Sequence, residues 1–148
     1  MYQKSLEITD RLGDEATSAN SYSNLGSVHG NLGNPEEAIR MFEKALEIME
    51  RIGNERGAAL AYGALAIVYE RKGDVARALE YYDKALKITQ RIGDRHTSAN
   101  QYFNLGALYR DIGEGNQARL HFEKAKALFE MLGLSRDAQD AARALQAL

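Results

Sequence analysis

The chain has 148 residues, and they include no cysteine, no tryptophan and only one proline. The absence of cysteine excludes disulfide bonds and thiol chemistry, and it fits a reducing compartment. No apolar run approaches the roughly twenty residues that a membrane-spanning helix needs. The formal net charge of −2 provides no basic excess for nucleic acid or an anionic membrane. We therefore expect no nucleic-acid or membrane partner, and the charged N-terminal stretch favours a cytoplasmic location.

Groups that could carry out chemistry are also scarce. The three histidines, His29, His96 and His121, share no metal-ligand spacing. The segment GEGNQA at residues 113–118 has no Gly-Lys-Ser/Thr after it, so it does not match a phosphate-binding loop. No Ser-His-Asp set and no pair of carboxylates is indicated by spacing. The sequence therefore predicts no enzyme activity, no catalytic residue, no metal site and no cofactor.

What the chain does contain is a repeat of forty residues. One series of glycines, Gly13, Gly53, Gly93 and Gly133, follows this step, and a second series lies midway between its members. The step also relates aromatic and small residues over three copies: Tyr22, Tyr62 and Tyr102; Ala38, Ala78 and Ala118; Phe42, Tyr82 and Phe122; Ala45, Ala85 and Ala125. Self-similarity at a fixed period is typical of repeat proteins, so each period should form one structural unit.

Each period divides into two halves, A and B, that both have helical spacing. In the middle copy, Ala58, Tyr62, Leu65 and Tyr69 are three or four residues apart and would share one helix face. Glycines lie where helices should end, and the Asp or Asn after several of them can cap the next helix. We predict helices over residues 15–31, 35–52, 55–72, 75–92, 95–112, about 115–132, and 136–147. The second should begin at Asn34-Pro35 with Glu37 placed for a capping box.

The repeated positions resemble the tetratricopeptide repeat. The first copy shows the family's spacing of aromatic, small and leucine residues: Tyr22, Leu25, Gly26, His29, Ala38, Phe42 and Ala45. The period of forty exceeds the usual thirty-four, and such long repeats are similar to those of kinesin light chain and LGN/Pins-type proteins. The resemblance implies an all-α, right-handed α/α superhelix that acts as a protein–protein interaction scaffold.

The resemblance also implies a division of the chain. Residues 1–148 would form one solenoid domain of about three full units flanked by unpaired half-repeats. Its parts would be a partial B helix at 1–13, repeat 1 at 14–53, repeat 2 at 54–93, repeat 3 at 94–133 and a capping A-type helix at 134–148. Three full repeats meet the usual minimum for a stable array.

In the family, A helices line a concave groove that takes a peptide or a segment of a partner protein. The residues that would face this groove are Asn20, Asn24, Ser27, Leu60, Ile67, Asn100, Phe103, Asn104 and Arg110. Asn amides can pair with a peptide backbone, and Leu60, Ile67 and Phe103 could receive apolar side chains. Alternatively, Asn24 and Asn104 brace neighbouring helices. A clamp for a C-terminal carboxylate is not expected, because its Lys and Arg positions hold other residues.

The second function that we consider is self-assembly through the two ends. The first helix lacks its A partner and the last lacks its B partner, so one could pack on the other in a second chain. Open head-to-tail filaments or closed dimers would result, and a monomer with a frayed N-terminus is the alternative. The residues that would make these contacts are Tyr2, Leu6, Ile8, Ala142 and Leu145.

Overall fold

The computed structural model describes residues 3–6 and 14–148, and no strand occurs among them. Seven helices follow one another: α1 (Glu15–Asn31), α2 (Pro35–Arg51), α3 (Glu55–Arg71), α4 (Val75–Ile92), α5 (Arg95–Asp111), α6 (Gly115–Met131) and α7 (Ser135–Gln146). Every boundary lies within one residue of its predicted position, and the all-α class is confirmed. Residues 3–6 are also helical, whereas the rest of the predicted partial helix at 1–13 lies outside the described residues.

The chain forms two compact units, Met1–Ala85 and Leu86–Leu148, whose boundary lies within α4. Unit 1 contains the helix pair α1 and α2, followed by α3, which packs on α2. Unit 2 contains the pair α5 and α6, followed by α7, which packs on α6. The division into one domain with three repeats remains a prediction, because the units follow a different boundary.

Helix ends follow the predicted chemistry with one exception. The side chains of Asp14, Asn54 and Asp94 each accept a hydrogen bond from the backbone N–H three residues later, at 2.9–3.1 Å. The expected capping box at α2 is wrong, because the Asn34 side chain makes no cap bond. The Asn34 N–H, which a capping box would direct at Glu37, instead donates to the carbonyl oxygen of His29 at 2.8 Å. That bond closes the turn around Gly33, whose φ is +76°.

A glycine in the A helix admits a ring from the B helix in two of the helix pairs. In unit 1, a Cβ added at Gly26 would lie 2.9 Å from the ring of Phe42. In unit 2, a Cβ at Gly106 would lie 2.7 Å from the ring of Phe122, which is fully buried. The rings therefore occupy the space where a side chain would otherwise stand, and α1 and α5 approach their partners at these glycines.

A lysine from each B helix lies over a tyrosine of the same repeat. Lys44 lies 5.3 Å from the Tyr22 centroid, and the equivalent pairs are Lys84 with Tyr62 at 5.6 Å and Lys124 with Tyr102 at 5.3 Å. Such contacts are attractive because the ring face is electronegative. The tyrosines are therefore packing residues within their repeats.

The seams between repeats are of two kinds. In unit 2, the buried hydroxyl of Ser98 donates to the buried Thr89 hydroxyl oxygen at 2.7 Å. In unit 1, the equivalent position holds the thioether of Met49, which would lie 2.5 Å from a Cβ at Gly57. One seam is thus closed by a pair of hydroxyls, whereas the other places a thioether, which also accepts a hydrogen bond from the Asn54 amide at 3.4 Å, against a glycine.

The ring contacts predict opposite effects of alanine at two helical glycines. Gly106→Ala should destabilise the protein by about 1–3 kcal/mol, because the new methyl group overlaps the Phe122 ring. Gly30→Ala is the matched control, since its Cβ would meet only the Ala38 methyl at 4.0 Å. That variant should gain up to about 1 kcal/mol from helix propensity. Urea unfolding of both variants measures the difference, and equal effects would contradict the close approach at Gly106.

Candidate functional site

Unit 1 contains a pocket of about 390 Å³ between α1, α2 and α3. Its lining combines polar residues with an apolar floor: Asn20, Ser23, Ser27, Phe42, Met49, Asn54, Arg56, Gly57, Leu60, Ala61 and Ala64. Leu60 is half exposed, at 50%. The volume falls within the range of ligand pockets in proteins.

Small residues on one face of α3 line the pocket. Gly57, Ala61 and Ala64 are four and three residues apart, so they share one face of α3. The equivalent residues of α1 are Thr17, Ser21 and Asn24, and those of α5 are Thr97, Gln101 and Asn104. The forty-residue step already relates these positions in the sequence, but the pocket was not predicted from them.

Three of the five residues predicted for the groove in unit 1 line this pocket: Asn20, Ser27 and Leu60. Asn24 is exposed and Ile67 half-buried, and neither is among the lining residues. Among the described residues, the amides of Asn20 and Asn24 have no hydrogen-bond partner. Asn24 therefore does not brace a neighbouring helix, and its donors and acceptor face solvent.

In unit 2 the predicted groove residues lie along α5. Asn100 is exposed, and the half-buried Asn104 has no hydrogen-bond partner among the described residues. Phe103 is half-buried and packs edge-on against Phe122, with 5.4 Å between the ring centroids. Arg110 pairs with the neighbouring Asp111 at 2.9 Å. Part of the Phe103 surface thus serves packing, and the rest remains accessible.

Sequence reasoning also missed a cation at the pocket. Arg56, in the first turn of α3, is exposed and belongs to the lining. The argument against a carboxylate clamp considered only the inward positions of the A helices, and it left this residue out. Its guanidinium places a positive charge and a fork of N–H donors at the pocket.

The described residues predicted for self-association belong to different units. Leu6 is only 6% exposed and packs within its own chain against Leu25 and Met41. Ala142 and Leu145 are half-buried on α7, whereas Tyr2 and Ile8 lie outside the described residues. These contacts do not test the prediction, but exchange of the first helix between chains would require Leu6 to leave its place.

Within residues 3–6 and 14–148, no group of three or more His, Asp or Glu is placed to hold a metal ion. No described helix is long and apolar enough to cross a membrane.

Three tyrosines of the helix pairs have a raised pKa. Burial raises the pKa of Tyr82 well above its usual value. The Glu70 carboxylate, which accepts a hydrogen bond from the Tyr82 hydroxyl at 3.0 Å, raises this pKa further. Burial likewise raises the pKa of Tyr62 and Tyr81. A tyrosine whose folded pKa exceeds its unfolded pKa of about 10 stabilises the protein below that pH and less as pH rises further.

This predicts alkaline destabilisation that depends on Tyr82. Above about pH 10, the free energy of unfolding should fall, with this residue contributing roughly 1 kcal/mol per pH unit. Tyr82→Phe, which introduces the residue found at the equivalent positions 42 and 122, should make the fall shallower because position 82 can no longer ionise in the unfolded chain. Urea unfolding between pH 8 and 11.5 measures the slope. The same slope in both proteins would rule out this role of Tyr82.

Sequence and structure comparisons show which known proteins this chain is similar to. A family model described as tetratricopeptide repeat matches residues 1–51 and 57–131. No curated protein matches the chain. Among solved structures, BtubC (BKLC) from P. vanneervenii is similar with a TM-score of 0.77 and 23% identity, over 98% of this chain and 69% of that protein.

Two further structures are similar. A Signal Transduction ATPase with Numerous Domains (STAND) from Pyrococcus horikoshii, which has a tetratricopeptide repeat sensor, gives a TM-score of 0.86 and 25% identity, over 97% of this chain. The chain spans only 22% of that protein. The tetratricopeptide repeat domain of Arabidopsis FLU gives 0.73 and 20%, over 79% of this chain and 98% of that domain. From the family match and the repeated helix pairs, the chain belongs to the tetratricopeptide repeat family.

Proposed function

We propose that this protein binds a segment of a partner protein on the exposed surface of its A helices. Tetratricopeptide repeats are in general modules of protein–protein interaction. The observation that carries the proposal is the pocket of about 390 Å³ with Leu60 half exposed at its edge. A large apolar side chain in contact with solvent beside a concave space is a typical anchor for a ligand.

The lining suggests how a peptide would be held. An apolar side chain of the ligand would contact Leu60 and the floor formed by Phe42 and Met49. The Asn20 and Asn24 amides, which have no hydrogen-bond partner among the described residues, would pair with the peptide backbone. Ser27 donates to the carbonyl oxygen of Ser23 at 3.1 Å, so its oxygen would serve as an acceptor.

Unit 2 would supply a second contact of the same kind. Asn100 and Asn104 offer the same amide chemistry on α5, and the accessible part of Phe103 offers an apolar surface. Arg110 would add a cation once a ligand carboxylate competes with Asp111. Each unit is proposed as a contact surface by itself, and Ile67 extends the surface of unit 1.

The proposal is tested by peptide selection followed by a matched pair of variants. A phage-displayed library of random peptides is selected on the wild-type protein, and the affinities of enriched peptides are measured by fluorescence anisotropy. Leu60→Asn, which introduces the residue of positions 20 and 100, should weaken binding about tenfold or more. Leu32→Asn is the control, because Leu32 is 68% exposed and does not line the pocket.

The outcomes separate the two surfaces. Asn104→Ala should weaken the same peptides only if they also contact unit 2. If enriched peptides bind wild type, Leu60→Asn and Asn104→Ala equally well, the A-helix surface is not the binding site. A loss that Leu32→Asn shares would show that general hydrophobicity, and not the pocket, is responsible.

A further inference from the structure

Another cavity lies in unit 2, between α6 and α7. Its volume is about 350 Å³, and its lining includes Lys126, Glu130, Ser135, Ala138 and Ala142. We call it the α7 pocket. None of its lining residues belongs to α1, α3 or α5, so it is separate from the surfaces proposed above for binding. Its volume also falls within the range of ligand pockets in proteins.

The α7 pocket is lined by an alanine at a position where the other A helices carry tyrosine. The forty-residue step relates the half-buried Ala142 to Tyr102 of α5 and to the tyrosines already described in α1 and α3. The Tyr102 ring is buried, and its hydroxyl oxygen accepts a hydrogen bond from the Gln90 amide at 2.6 Å. Glu130 has the position of Gln90 one repeat later, and it lines the pocket together with Ala142. A methyl group thus stands where the other copies carry a phenol ring.

The carboxylate of the α7 pocket suits a ring that carries a hydroxyl. Glu130 pairs with Lys126 through Oε1 at 3.4 Å, so its second oxygen can still accept a hydrogen bond. In unit 1, Glu50 has the same position in its repeat. Burial raises the pKa of Tyr62, and the charge of Glu50 raises it further. In two repeats, therefore, the residue at the position of Glu130 acts on the hydroxyl of a tyrosine.

A further helix of the repeat type would not pack on α7 in the usual way. In the other pairs, a B-helix ring lies against a glycine of its A helix, Phe42 at Gly26 and Phe122 at Gly106. A Cβ alone would come within 2.7–2.9 Å of these rings. At the equivalent position α7 carries Gln146, which is exposed and larger. The occupant of the α7 pocket is therefore expected to be a segment that does not repeat this helix pairing.

We propose that the α7 pocket binds a tyrosine side chain presented by a partner protein. The ring would pack on the methyl groups of Ala138 and Ala142, and its hydroxyl would donate to Glu130. The partner would thus supply in trans the ring that Tyr102 supplies within α5. Burial of the ring provides affinity, and the hydrogen bond selects tyrosine over phenylalanine.

The test is a peptide selection in which the chain's own ring is the competitor. A phage-displayed library of random peptides is selected on the wild-type protein and depleted on Ala142→Tyr, whose new ring would occupy the pocket. The remaining peptides should carry a tyrosine, and fluorescence anisotropy should show about tenfold or more weaker binding to Ala142→Tyr. Ala127→Tyr is the matched control and should bind like wild type, because Ala127 is exposed on α6 and does not line the pocket.

Substitutions of Glu130 test the role of the hydroxyl. Glu130→Ala, at an exposed position, should weaken the tyrosine peptides about threefold to tenfold. It should leave unchanged the binding of the same peptides with phenylalanine in place of tyrosine. Glu130→Gln, which introduces the residue of position 90, should retain most of the binding because an amide also pairs with a phenol. If Ala142→Tyr does not fold, Glu130→Ala replaces it in the depletion step.

Three results would overturn the proposal. The first is that no peptide remains after depletion, and the second is that the remaining peptides lack tyrosine. The third is that Glu130→Ala weakens the tyrosine and phenylalanine peptides equally. Sedimentation velocity should give the same mass for wild type and Ala142→Tyr. A wild-type dimer that Ala142→Tyr converts to monomer would show that the occupant is a second copy and not a partner protein.

Discussion

The close contact of a B-helix ring with a glycine of its A helix is the constraint on which two helix pairs depend, α1 with α2 and α5 with α6. In unit 1 the Phe42 ring, and in unit 2 the Phe122 ring, occupies the volume in which any larger residue would place its Cβ. Interiors packed at this density leave no room for adjustment, so the distance between the two helices is fixed there. The outward surfaces of the pairs are then free to vary, because the pairing does not rely on them.

Variation on those outward surfaces follows directly from small differences between copies. Glycine and alanine on one face of α3 line the pocket of unit 1, whereas α5 carries larger residues at the same positions. Alanine on α7 replaces the tyrosine that the other A helices carry at its position. Function in a repeat protein of this kind is thus carried by departures from the repeat, since the shared residues serve packing.

The sequence was sufficient for the helices and for most of the core, because both are determined by local periodicity and by residues that recur every forty positions. Gly26, Phe42 and Ala45 could be placed with no structure at all. The capping box at Asn34 could not, since the competing bond from the Asn34 N–H to His29 arises in the turn itself. Pocket formation was missed because it depends on what three helices leave empty, whereas sequence reasoning considered which side chains point inward. Asn20, Ser27 and Leu60 were found by position, but the floor of Phe42 and Met49 was not.

The two kinds of seam bear on how a chain of similar repeats folds into one arrangement. Copies that share most of their packing residues can pair with the wrong neighbour, and such misassembly is a known failure of repeat proteins. A hydroxyl pair such as Thr89 and Ser98 is satisfied only when these two residues meet. If a slip of one repeat brought Ser98 against Met49, it would leave a buried hydroxyl without a partner, at a cost of about 1–3 kcal/mol. Seams of different chemistry therefore distinguish the repeats, and they make a shift by one copy more costly than the shared packing residues alone would.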